Sequence, residues 1–130
     1  MLRNLARSLA LTLIGIFLGA PASLSEPQSV KLDLFMLDYK FVPNHLTFQH
    51  GIRYRLHMEN HGKETHEFTA PDFLQQSEIR DPSAVNADRT EILVQPGEQK
   101  DVYLVPRRGR YPLRCADHDW AGMTGEIVVE

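Results

Sequence analysis

The sequence predicts an all-β protein, one β-sandwich of seven to eight short strands. Three observations carry this. Apolar residues recur with a period of two, as in Val30, Leu32, Leu34 and Met36 set against Lys31, Asp33 and Phe35. The alternating runs are punctuated by turn chemistry at Pro43-Asn44, His50-Gly51, Asn60-His61-Gly62, Pro96-Gly97 and Pro106 to Gly109. The chain has 130 residues, 42% of them hydrophobic, which is room for one core and not for two. Many short strands with turns between them read as a sandwich.

The elements follow in order. Arg3 and Arg7 are the only charges in the first 25 residues, and an apolar run from Leu9 to Ala20 follows them. With Ala20-Pro21-Ala22 as a small-residue cleavage site, residues 1–22 read as an export signal and residues 23–130 as the folded domain. The alternative is an uncleaved anchor, but the run is shorter than the ~20 residues of a spanning helix. Residues 23–29 are a polar leader. The strand from Val30 to Met36 comes next, then an extended segment through Tyr39, Phe41 and Val42, and a strand around Leu46 and Phe48. From Ile52 the apolar residues Tyr54, Leu56 and Met58 alternate with Arg55, His57 and Glu59 until Asn60.

Residues 70–89 break the rhythm. Pro71 and Pro82 frame a mixed stretch with a helical turn expected around Phe73 to Glu78, which reads as a long connection between sheets. Strands return at Thr90 to Val94, Lys100 to Val105, Arg110 to Arg114 and Gly125 to Val129, with a Pro-Gly turn at Pro96-Gly97.

Charge narrows the function. Removing residues 1–22 takes away two of 14 basic residues and none of 17 acidic ones, leaving a formal charge of −5. Such a balance argues against nucleic acid as a partner. Cys115 is the only cysteine, so it forms no internal disulfide, and in an exported chain a bare thiol is an oxidation liability.

The closing loop gives that thiol a purpose. Cys115, His118 and Met123 place a thiolate, an imidazole and a thioether in one short segment ahead of the last strand. Soft sulfur with imidazole is a copper donor set, and two His with one Cys and a weak axial Met form a trigonal one-electron site. A second imidazole must come from elsewhere, and His66 in Glu64-Thr65-His66-Glu67-Phe68 is the candidate. The alternatives are an inert buried cysteine, a core-filling methionine and a surface histidine. His45, His50, His57 and His61 read as exposed loop or strand residues. Glu67, Asp117 and Asp119 are candidates to fix the imidazole tautomers. Glu64, Glu67, Asp72, Asp117 and Asp119 form an acidic group able to steer a basic partner or a cation. Arg107, Arg108, Arg110 and Arg114 form the basic cluster, read as turn and strand solvation.

With these residues in place the chain resembles the small exported cupredoxins, the blue-copper family. The likeness runs from Phe35-Met36-Leu37-Asp38-Tyr39-Lys40-Phe41-Val42-Pro43 through Glu59-Asn60-His61-Gly62 and Thr65-His66-Glu67-Phe68 to Val94-Gln95-Pro96-Gly97-Glu98 and the closing loop. The resemblance implies a Greek-key sandwich binding one copper ion at His66, Cys115, His118 and Met123. It also implies a periplasmic monomer passing single electrons to a redox partner such as a cytochrome, a respiratory complex or a metal permease. One departure stands out: family members often carry Asn after the first His, and this chain has Glu67. A related branch accompanies bacterial iron-uptake permeases, so a ferrous or cuprous oxidase is the second expectation and copper storage or delivery the third. A carrier predicts a hydrophobic surface around the exposed edge of His118; an oxidase predicts carboxylates within reach of the metal.

Overall fold

A computed structural model describes residue 19 and residues 27–130 of the chain. The expected export signal lies outside the described residues, apart from Gly19. Among the described residues ten strands form two five-stranded sheets. They are β1 Val30–Leu37, β2 Lys40–Val42, β3 His45–Phe48, β4 Tyr54–Asn60, β5 His66–Thr69, β6 Glu78–Ile79, β7 Glu91–Val94, β8 Gln99–Val105, β9 Gly109–Arg114 and β10 Thr124–Val129. One sheet has the order β2-β1-β4-β8-β6 and the other β3-β10-β9-β5-β7. Strands β1 and β4 run parallel, as do β3 and β10, and the remaining pairs are antiparallel. The sandwich is as expected; its strands exceed the expected seven to eight because β5, buried at all four positions, shows no alternation and β6 has only two residues, too few for a period of two.

Alternation fills the core from both sheets. Leu34 and Met36 of β1, Leu56 and Met58 of β4 and Val102 of β8 face Phe48, Phe68, Ile92, Leu113 and Ile127 of the other sheet's strands, all essentially without solvent contact. The irregular stretch crosses between sheets as expected: after β5 comes helix α1, Pro71–Gln76, then β6 in the opposite sheet, a turn of 3₁₀ helix at Pro82–Ala84, and the return to β7. Pro71 opens α1 at the position where a missing N–H costs nothing. Phe73 of this helix packs against Phe48, Phe68 and Tyr111 with ring centroids 5.4–6.2 Å apart.

One polar residue departs from its expected exposure. His57 is buried, with Nδ1 2.7 Å from Asp101 and Nε2 2.9 Å from Glu59. Its strand β4 is the middle one of five, so Asp101 of the neighbouring β8 stands directly across from it and, with Glu59 of β4 itself, covers even its polar face. Arg55 clamps the same Asp101 through two bonds of 3.0 and 2.9 Å. The Asp101 hydrogen bond, then that to Glu59, holds the His57 pKa above its ordinary value. Among the described residues no helix is long and apolar enough to cross a membrane.

Candidate metal centre

Three strands bring the predicted donors together. His66 opens β5, Cys115 follows the last residue of β9, and Met123 precedes the first of β10. Strands β9 and β10 pair antiparallel with Arg114 opposite Thr124, so residues 115–123 form the connection between them. A bond of 3.0 Å from the Cys115 N–H to the Met123 carbonyl closes it. Inside, the His118 N–H donates to the Cys115 carbonyl, and Asp119–Ala121 make one turn of 3₁₀ helix. Gly122 ends that turn at φ 86°, a left-handed conformation that a glycine adopts without a Cβ penalty. Strand β5 lies beside β9, with Thr69 opposite Arg114, which brings His66 against the loop.

The donor atoms converge. His66 Nδ1 lies 3.2 Å from His118 Nδ1, and Cys115 Sγ lies 3.8 Å from the first and 3.3 Å from the second. His66 and Cys115 are fully buried. Met123 is buried as well and is bonded through its main chain to both Cys115 and His118.

The outer nitrogens decide the tautomers. His66 Nε2 is 2.7 Å from Asp38 Oδ1, and His118 Nε2 is 2.7 Å from Glu64 Oε2. A carboxylate only accepts, so each Nε2 carries the proton and each Nδ1 turns a lone pair inward. Two lone pairs 3.2 Å apart beside a sulfur repel unless a cation or a proton lies between them. The residues therefore fit a metal ion with an affinity for nitrogen and soft sulfur.

These carboxylates are not the ones expected. Glu67 turns to the cysteine, its Oε2 accepting from Cys115 Sγ at 2.9 Å and from the Asp117 N–H at 3.4 Å, while its own N–H donates to the sulfur at 3.4 Å. Burial, then the Glu67 hydrogen bond, pushes the Cys115 thiol pKa up to about 11. Asp119 pairs with Arg114 at 3.1 Å, and the Asp117 carbonyl accepts from the Trp120 indole. Asp119 is thus neutralised by Arg114 and Glu67 is buried against the cysteine, while Glu64 stays exposed and keeps its charge beside His118. Asp38 carried no local signal. It lies just past β1, and the parallel register that sets Met36 opposite Asn60 carries it to the loop before His66.

That loop is built around Asn60. Its buried side chain donates to the Glu64 and Val94 carbonyls, both at 2.8 Å, and accepts from the Gly62 N–H. The Lys63 N–H donates to Asp38 at 2.9 Å, the largest cause of a carboxyl held below its usual range. Gly62 is required for space: a Cβ there would overlap Asp38 Oδ1 and lie 2.8 Å from His66 Nε2.

The surroundings of His118 are part polar and part aromatic. Glu64 caps its Nε2, and Tyr39 packs on its ring at a centroid distance of 5.0 Å. Tyr39 also meets the ring of Trp120, which is 77% exposed. The charge of Glu64 raises the Tyr39 pKa.

The model of the cupredoxin-like domain matches residues 8–129. The chain belongs to the cupredoxin-like family. Solved structures share its fold at low sequence identity. Auracyanin B is 16% identical, with a TM-score of 0.60 over 82% of this cupredoxin-like chain and 93% of its own. An auracyanin from the photosynthetic bacterium Roseiflexus castenholzii is 17% identical, with a TM-score of 0.59 over 78% and 98%. Auracyanin A, described as a "blue" copper protein from the green thermophilic photosynthetic bacterium Chloroflexus aurantiacus, is 17% identical, with a TM-score of 0.55 over 79% and 100%. No curated protein matches the sequence.

Proposed function

We propose that this protein is an exported, periplasmic mononuclear copper protein that passes single electrons to a redox partner. The observation that carries the reading is the convergence of two inward imidazole Nδ1 atoms and one sulfur, with both outer nitrogens already capped. His66, Cys115 and His118 would hold the ion, and Met123 would supply a weak fourth donor that tunes its potential. Copper bound there supplies a one-electron couple. The residues of the chain do the rest: Asp38 and Glu64 orient the rings, the buried walls exclude water, and Tyr39 and Trp120 present an aromatic surface beside His118.

The partner is a protein such as a cytochrome, a respiratory complex or a metal permease, met by a monomeric carrier. The second reading, a ferrous or cuprous oxidase, needs carboxylates free to take an incoming ion. Carboxylates do stand close to the donors, as an oxidase predicts, but Asp38, Glu64 and Glu67 each already have a partner among the donor residues, and Tyr39 with the exposed Trp120 gives His118 an aromatic surround; together these favour the carrier.

The test is Cys115→Ser. The parent with one equivalent of Cu(II) should show an intense visible thiolate-to-copper band; the variant should lose it and keep the parent's far-ultraviolet circular dichroism. An unchanged visible spectrum would sink the site.

A further inference from the structure

We infer that Asp38 and Glu64 act as a pair of fixed anions behind the two imidazoles, biasing the centre toward its oxidised, more highly charged state. This rests on the copper reading above. The geometry is symmetrical in chemistry although the residues come from different places: each carboxylate oxygen stands 2.7 Å from an outer Nε2, on the opposite side of the ring from the inward Nδ1. Negative charge behind a ring makes its inner nitrogen a stronger donor. It stabilises Cu(II) more than Cu(I), because the interaction scales with the charge of the ion.

The surroundings are built to keep the pair in place. Asp38 is held by the Lys63 N–H, and Gly62 leaves the space that the Asp38–His66 contact occupies. The carbonyl of Glu64 is tied to the Asn60 side chain at 2.8 Å. The two members differ in shielding. The His66–Asp38 side chains are 0% and 26% exposed, and those of His118–Glu64 are 12% and 49% exposed. Water screens the second pair more, so Asp38 is the stronger of the two.

The experiment uses Asp38→Asn and Glu64→Gln, which keep a hydrogen-bond acceptor and remove the charge. The readouts are the reduction potential of the copper-bound protein and competition against Cu(I) and Cu(II) chelators. Asp38→Asn should lower the ratio of Cu(II) to Cu(I) affinity about tenfold, a rise of about 59 mV for a one-electron couple. Glu64→Gln should move it the same way by less, with the charge-transfer band retained in both. Glu64 sits on a half-exposed loop, so Glu64→Gln keeps the inference open to refutation if Asp38→Asn fails to fold. Potentials that stay within about twofold in this ratio, or that fall, overturn the inference. So does nitrogen NMR of the metal-free parent if it finds the His66 proton on Nδ1. A parent that shows no thiolate-to-copper band brings down the copper reading itself, a failure distinct from a band present with potentials unmoved.

Discussion

Gly62→Ala tests whether the space beside His66 is functional. Gly62 is not among the glycines with positive φ, so alanine meets no backbone strain, and restricting the unfolded chain should even stabilise by about 0.4–1 kcal/mol. Against that, the new methyl group overlaps Asp38 Oδ1 and comes within 2.8 Å of His66 Nε2, closer than the ~3.5 Å of an ordinary carbon contact. The carboxylate can swing away, but only by leaving the ring. His66 is fully buried, and a buried N–H left without an acceptor costs about 1–3 kcal/mol. The net loss is about 1–2 kcal/mol, or a melting temperature lower by about 4–9 °C in a domain of this size. Copper affinity should fall about tenfold or more, because the ring loses its orienting partner. Gly51→Ala is the control: Gly51 has φ 77° with open space around it, so alanine there costs about 1–2 kcal/mol of left-handed strain and leaves copper affinity unchanged. Thermal melts of the metal-free protein and copper titrations measure both. If Gly62→Ala melts with the parent and binds copper equally well, the close packing of Gly62, Asp38 and His66 does not position the ligand.

Two further outcomes follow from the charged groups. Glu67→Gln should lower the Cys115 thiol pKa from about 11 toward its ordinary value without reaching it, since burial is the larger cause; an ultraviolet thiolate titration of the metal-free protein reads this, and an unchanged midpoint removes Glu67 from the account. His57 has a folded pKa raised by Asp101 and then Glu59, so its contribution to stability is complete below the unfolded value near 6.5 and is lost as pH rises through the folded value. Urea midpoints should therefore decline across that window in the parent and stay flatter in His57→Gln, and parallel profiles would contradict the buried ion pair.

Much of the site was legible because its chemistry is local. Cys115, His118 and Met123 share one hairpin connection, so their spacing, taken with an upstream His and a β pattern, marks a candidate donor set, and the alternation of β1, β4 and β8 announces the sheets around them. Burial was harder to read. The same alternation assigns His57 to a polar face, yet that face is covered because β4 occupies the centre of its sheet, and position in a sheet is a property of pairing.

By itself, then, the sequence determined the class of fold and the candidacy of His66 and of three residues in the closing loop as donors. Tertiary structure alone decided which carboxylates serve the rings. Glu67, Asp117 and Asp119 are neighbours of the donors in the chain, but Asp38 and Glu64 are the ones that reach Nε2. Asp38 does so because β1 pairs in parallel with β4, setting Met36 opposite Asn60 and so carrying residue 38 to the loop around Gly62. Strand partner and register depend on how the whole core packs, and no short stretch of sequence contains that information.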